Sequence, residues 1–276
     1  MMKFLKILIP LFLLFLYGCK DSVVNNDTGT INYKEILSVN ISEFTIKLYI
    51  TGYDSLTTGY NEVYFKVAKD SIEQRQGNLK FFPKMWMTPH LWHSTPASSV
   101  FLYDNSSGYF KGYVIFNMAT TPPGLIWRSI ITYHDENGID HISDSVDTYT
   151  SYHQEKQWKV FYDSTEQTEY YLTLVKPFSP VKQLNDFWVI LHKTDGLDQS
   201  FDLLSEPQMF ISAYSVDSLN QSSGNISPVV GADGIYKGKV NFPDNGNWIL
   251  IDTISYHNHI ITNNPPPMPD FNFVVK

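Results

Sequence analysis

The sequence predicts an all-β chain in which one antiparallel sandwich occurs twice in tandem. Short segments that alternate apolar and polar residues recur along most of its length, with almost no 3.6-residue period between them. Turn-forming clusters separate these segments, among them Glu136-Asn137-Gly138, Ala232-Asp233-Gly234 and Asp244-Asn245-Gly246. Such Asn-Gly and Asp-Gly pairs supply the positive φ that tight hairpins require. A block of sequence then repeats. Aromatic residues make up 15% of the chain, which suits strands better than helices.

The first element is not part of that fold. Lys3 and Lys6 precede an apolar stretch from Ile7 to Tyr17, followed by Gly18-Cys19. This is the layout of a secretory signal. The stretch is shorter than the ~20 residues that cross a bilayer, and Pro10 interrupts it. Leu16-Tyr17-Gly18-Cys19 resembles the lipobox of bacterial lipoproteins. The resemblance implies cleavage before Cys19, lipidation of its thiol and acylation of the new amino terminus. Cys19 is also the only cysteine, so the folded body has no disulfide, thiolate metal site or cysteine nucleophile. Residues 20 to about 33 are mostly small and polar and read as a flexible tether. By the sorting rule of well-studied Gram-negative bacteria, Lys20 after the cysteine favours the outer membrane.

Strand candidates follow in order: Phe44 to Ile50, Glu62 to Val67, Tyr109 to Met118, Leu125 to Tyr133, Trp158 to Tyr162, Tyr170 to Val175, Phe187 to Leu191, Ile235 to Phe242, Trp248 to Tyr256 and Phe271 to Val275. Short strands at this spacing predict an antiparallel sandwich. Pro265 to Pro269 reads as a stiff extended connector, or as a ligand for a partner's groove.

The repeat sets the domain count. Gly108-Tyr109-Phe110-Lys111-Gly112-Tyr113-Val114 aligns with Gly234-Ile235-Tyr236-Lys237-Gly238-Lys239-Val240. Phe116 then matches Phe242, Trp127 matches Trp248, and Tyr133-His134 matches Tyr256-His257. Upstream, Pro83-Lys84-Met85 pairs with Pro207-Gln208-Met209, and Ile46 to Ile50 with Tyr171 to Val175. The expected organisation is a signal peptide over 1–18, lipidated cysteine and tether over 19–35, and sandwiches over 36–164 and 165–276.

The segment richest in chemistry is Pro83-Lys84-Met85-Trp86-Met87-Thr88-Pro89-His90-Leu91-Trp92-His93-Ser94-Thr95-Pro96. On an extended strand Met85 and Met87 share a face, and a loop after Pro89 can bring His90 and His93 back toward them. Thioethers with imidazoles form a soft ligand set that suits Cu(I). The alternative is that a methionine fills the core and both histidines are exposed.

Pro-x-Met-x-Met followed by histidines, then Gly-Tyr-Phe-Lys-Gly-x-Val with Phe116-Asn117-Met118, then a Trp opening the next strand, resembles the YtkA-like domain family. The resemblance covers about Gly77 to Tyr133 and, more weakly, Pro207 to Tyr256. It implies immunoglobulin-like β-sandwiches, often exported or membrane-tethered, some of which accompany heavy-metal efflux or copper-oxidase assembly. It makes Met85, Met87, His90 and His93 candidate metal ligands, with Met118 more distant. The second copy keeps Met209 but has no histidine between it and Pro228, so it lacks that ligand set.

His257-Asn258-His259 is a secondary metal candidate, since two rings two residues apart on a strand share a face. His257 also matches His134, which favours a role in the sandwich itself. His141, His153 and His192 have no evident partners. There is no Gly-x-Ser-x-Gly elbow, P-loop or His-Glu-x-x-His, so no enzyme is expected. With 28 acidic against 20 basic residues, the chain does not suit a nucleic-acid partner. The expected partners are the membrane, through lipid at Cys19, and an envelope protein. No cofactor is required, with Cu(I) the one candidate.

Overall fold

The computed structural model describes residues 31–88, 91–194, 200–262 and 269–276. Cys19, His90 and Pro265 to Met268 lie outside these residues. Among the described residues the fold is all-β, as the sequence predicts. The strands of the first half are β1 (Tyr33–Ile41), β2 (Phe44–Thr51), β3 (Leu56–Thr57), β4 (Gly59–Lys69), β5 (Ile72–Gln74), β6 (Asn78–Thr88), β7 (Leu91–His93), β8 (Phe101–Asp104), β9 (Tyr109–Phe116), β10 (Trp127–His134), β11 (Asp140–Ile142), β12 (Val146–Thr148) and β13 (Thr150–Ser151). Those of the second are β14 (Trp158–Asp163), β15 (Thr168–Lys176), β16 (Leu184–Thr194), β17 (Phe201–Leu203), β18 (Gln208–Ser215), β19 (Ile226–Val230), β20 (Tyr236–Asn241), β21 (Gly246–Tyr256), β22 (His259–Ile260) and β23 (Asp270–Val275).

The pairing order is closely similar in both halves. In the first, β1-β2-β4-β9-β8 continues through β6 to β10 and β11 in one sheet, whereas in the second β14-β15-β16-β20-β19 is a sheet by itself. The layer that begins at β6 pairs β6 with β10, and β10 with β11 and β12. Its counterpart pairs β18 with β21, and β21 with β22 and β23. All these pairs are antiparallel; β13 and β3 pair in parallel. Strands alternate inward and outward, so β2 and β10 bury every second residue. That alternation produces two separate cores, one around Phe65, Phe110 and Trp127, the other around Leu172, Phe187 and Trp248.

Equivalent residues do equivalent jobs. Phe116 and Trp127 meet at 5.2 Å and 59°, and Phe242 and Trp248 at 5.5 Å and 59°. Each indole is buried and donates its N–H to a carbonyl two residues past its phenylalanine: Trp127 to Met118, Trp248 to Asp244, both at 3.0 Å. A buried indole needs such a partner. Asn61 and Asn185 each bind back to the carbonyls four and two residues earlier, and each accepts an N–H from the former. These amides satisfy the turn that opens β4 and β16.

Register corrects three alignments: counted from the tryptophans, Tyr133-His134 falls on Ile254-Ser255 and not Tyr256-His257; counted from Asn61 and Asn185, Ile46 falls on Leu172 and not Tyr171; and the methionines shift as well. Met85 lies opposite Trp127 in the β6–β10 ladder, whereas Met209 lies opposite Ile254 and Ser215 takes the place opposite Trp248. Pro83-Lys84-Met85 and Pro207-Gln208-Met209 are therefore not structural equivalents. Both methionines are buried, but at different depths along the sandwich.

A third, smaller cluster joins the two halves. Tyr113 and Ile115 of β9 pack with Val175 of β15, Ile190 of β16 and Ile235. The Tyr113 hydroxyl and His192 Nε2 share a 2.9 Å hydrogen bond there.

Candidate functional site

The β6–β7 hairpin holds the predicted metal-ligating segment. β7 folds back on β6 and sets His93 opposite Met85. Met85 is 0% exposed and belongs to the first core, while Met87 is 40% exposed. The expectation that the two thioethers share a face does not hold. The register slips between Trp86 and Thr88, and a bulge breaks the two-residue period that the expectation assumed.

His93 is half-buried, and its ring meets Trp127 edge-on at 5.1 Å. Its Nδ1 lies 3.1 Å from the Ser94 carbonyl oxygen. Nε2 is buried and has no hydrogen-bond partner among the described residues. The hairpin thus brings together one thioether and one imidazole from the four candidates. Met118 packs against the same core, next to Trp127.

The second metal candidate fails in its geometry. His257 and His259 do not lie along one strand. Tyr256 pairs with His259 across a two-residue turn whose central residues, His257 and Asn258, have φ of 46° and 65°. Each ring has its own acid: His257 Nδ1 meets Glu166 at 3.1 Å, and His259 Nε2 meets Asp163 at 2.7 Å. These pairs tie β22 to the β14–β15 turn. The hydrogen bond to Asp163 raises the His259 pKa. Burial raises that of Asp163, but His259 and the N–H groups of Thr165 and Glu166 outweigh it, and the carboxyl ends below its usual value. Among the described residues no three His, Cys, Asp or Glu side chains converge as a metal site.

The remaining histidines do have neighbours. His141 Nε2 meets Asp135 at 3.1 Å, and His153 packs edge-on against Tyr53. His192 is fully buried, which pulls its pKa down to about 3 and keeps it neutral against Tyr113.

Two buried charged groups escaped sequence reasoning. Lys156, between β13 and β14, donates to Thr57 Oγ1 at 2.7 Å and lies 4.0 Å from the Tyr53 ring centroid. Burial lowers its pKa to about 7. Asp252 in β21 is 0% exposed with neither carboxyl oxygen hydrogen-bonded, and burial raises its pKa well above the usual value. Its side chain faces the second core beside Leu250 and Ile254, where strand alternation calls for an apolar residue.

What the hairpin shows to solvent is aromatic. Trp86 is 43% exposed, Leu91 and Phe82 are exposed beside it, and Trp86 lies opposite Trp92. Phe82 and Trp92 meet edge to face at 6.1 Å. The Lys84 ammonium sits 4.3 Å from the Trp92 centroid and 4.9 Å from that of Phe82. In the sequence, this segment reads through its methionines and histidines, and its tryptophans have no assigned role. The alternation of Lys80, Phe82, Lys84 and Trp86 on one face was the signal available.

No protein-family model and no curated protein matches the chain. Solved structures similar to parts of it include FdeC, an Escherichia coli adhesin, at 10% identity and a TM-score of 0.26, covering 87% of this chain and 65% of that one. Invasin, a bacterial integrin-binding protein, is 12% identical with a TM-score of 0.25, covering 84% and 39%. The D0-D1 domain of intimin is 10% identical with a TM-score of 0.22, covering 86% and 100%. The chain thus spans less than two thirds of the first two. At these TM-scores the likeness assigns neither family nor function.

Proposed function

We propose that this chain is a lipid-anchored envelope protein whose first sandwich is a non-catalytic binding module. The observation that carries the reading is the exposed aromatic and cationic face around Trp86, where, among the described residues, exposed rings and unpaired lysines share one side of a strand. Lys84 sits over the Phe82 and Trp92 rings beside the exposed Trp86, and such aromatic and cationic side chains are typical anchors of recognition surfaces. The anchor rests on the lipobox resemblance around Cys19. Replacing Cys19→Ser is expected to move the protein from the membrane to the soluble fraction.

Both cores lie between Ile41 and Val275, so a form lacking residues 1–19 keeps all of them. This lipid-free form is expected to sediment with washed cell envelopes, and the Lys84→Ala/Trp86→Ala double variant to lose that retention. Equal retention of the two would refute the binding-module reading.

A second reading is supported by the unpartnered His93 Nε2 beside Met85: a soft-metal site, in keeping with the YtkA-like resemblance. It takes Cu(I) through Met85 and His93, with His90, Met87 or Met118 completing the set. Cu(I) titration against a Met85→Leu/His93→Gln variant, which keeps the core volume, tests it. Equal weak uptake by both proteins would dispose of it.

A further inference from the structure

The outward face of β6 and β10 carries a pattern that points to a class of ligand. Lys80, Phe82, Lys84 and Trp86 alternate along the outward side of β6, while Leu79, Phe81 and Met85 fill the core. Lys84 lies directly opposite Arg128 of β10, and Phe82 opposite Ile130. Like charges directly opposite destabilise a strand pair, and only on its other side does Arg128 meet an opposite charge, Asp147 of β12. Arg128 has only a long contact to Asp147 at 3.7 Å, between two exposed side chains. Among the described residues neither Lys80 nor Lys84 has a carboxylate partner. The stretch from Asn78 to Tyr103 contains no Asp or Glu, although acids outnumber bases 28 to 20 in the whole chain.

We propose that this face binds an anionic polysaccharide, a polymer of uronic acids, across the β6 strand. The proposal rests on the binding-module reading and names its ligand class. Sugar rings present C–H faces that stack on Phe82 and Trp86, and uronate carboxylates pair with Lys80, Lys84 and Arg128. Four residues of strand separate the two lysines by about 13 Å, with a ring between them. Cation and ring therefore alternate along a line at the scale of a glycan repeat.

The alternative occupants fit less well. A bound peptide strand uses a sheet edge, where backbone groups are free, and this is the flat side of a sheet with β6 already paired to β10 and β7. An anionic bilayer would cover the whole face, including the acidic Asp140, Asp144 and Asp147 in and beside β11 and β12. A polymer one chain wide follows the lysine stripe on β6, reaching Arg128 from the side away from Asp147.

The test titrates polygalacturonate into the lipid-free form. Parallel arms use neutral dextran, polyglutamate and phosphatidylglycerol vesicles. Polygalacturonate is expected to bind, more weakly as salt rises, and dextran not to bind. Lys84→Ala and Trp86→Ala are each expected to bind about tenfold more weakly or worse, with unchanged thermal midpoints because both side chains lie outside the cores. Polygalacturonate binding that is absent, is undiminished in both variants, or is weaker than binding to polyglutamate or vesicles would overturn the ligand class. The binding module itself falls only when the double variant stays on envelopes as well as the parent chain does.

Discussion

The two sandwiches share a scaffold and differ in what that scaffold shows to solvent. On the outward side of β6 the first presents Lys80, Phe82, Lys84 and Trp86; the register-matched positions in the second, along and just past β18, are Phe210, Ser212, Tyr214 and Val216, with no charge. The strands beside them differ likewise: Arg128, Ile130, Thr132 and His134 in β10, against Ile249, Ile251, Thr253 and Ser255 in β21. Inward positions are mostly apolar in both, with small buried serines at Ser129 and Ser215 and one carboxyl, Asp252. Residues that hold the fold are thus held in common, while residues free of that duty have diverged. On this pair of strands the first sandwich carries a cationic, aromatic face; the second has its lysines over a ring elsewhere, Lys176 and Lys237 at Trp188 of β16.

The largest effects should fall on the shared framework. Trp127→Ala and Trp248→Ala are each expected to cost about 3–5 kcal/mol, since each removes a fully buried indole and its hydrogen bond. Urea unfolding of the two variants checks this. A cost at Trp248 far below that at Trp127 would break the equivalence.

Gly112 and Gly238 sharpen it. A Cβ at Gly112 would lie 2.5 Å from the Phe101 ring, which can shift, whereas one at Gly238 would meet the Ile226 carbonyl oxygen at 2.5 Å and the Pro228 backbone. Gly238→Ala should therefore be the more destabilising, by about 1–3 kcal/mol in thermal or urea unfolding. The reverse order would show that β8 and β19 do not press on their neighbours in the way described.

Asp252 marks the place where the cores differ, because the residue four past the tryptophan in the first sandwich is the buried Ile131. A carboxyl whose folded pKa is raised stabilises most below its unfolded value of about 3.9, and this contribution is lost as pH rises toward the folded pKa. Asp252→Ile should thus stabilise the protein by about 1–3 kcal/mol at pH 7 and flatten the loss of stability above pH ~4. An unchanged pH profile would mean that the carboxyl is not neutral in the fold.

The smallest effect expected is at His259, where the two shifts run in opposite senses. The raised His259 contributes below about pH 6.5 and fades as pH rises through its folded pKa. The lowered Asp163 contributes above about pH 3.9 and fades as pH falls through its own. His259→Gln should therefore reduce stability chiefly between about pH 4 and 6.5, read as a thermal midpoint against pH. A uniform reduction at every pH would remove the ion pair from the account.

Most of the strand framework was legible because alternation, aromatic content and Gly-bearing turns all act locally. The Phe116–Trp127 and Phe242–Trp248 pairs were legible because the same two rings recur at similar spacing. The Pro207-Gln208-Met209 alignment misled because it matched residue types, whereas ladder register counts from the tryptophan. The His257-Asn258-His259 reading missed the turn because both central residues take positive φ without a glycine to signal it. Met85 and Met87 parted company at a bulge, which alternation cannot foresee. Asn61 and Asn185 read as ordinary polar residues, and only the hydrogen bonds reveal that they close the turns before β4 and β16.

The central claim is that binding is confined to the first sandwich's outward face. The direct test compares envelope retention of the Lys84→Ala/Trp86→Ala variant with that of Tyr214→Ala/Val216→Ala, the positions that the ladder register matches to them on the second sandwich. The account predicts that the first loses retention and the second keeps it; equal loss in both, or loss only in the second, would contradict it.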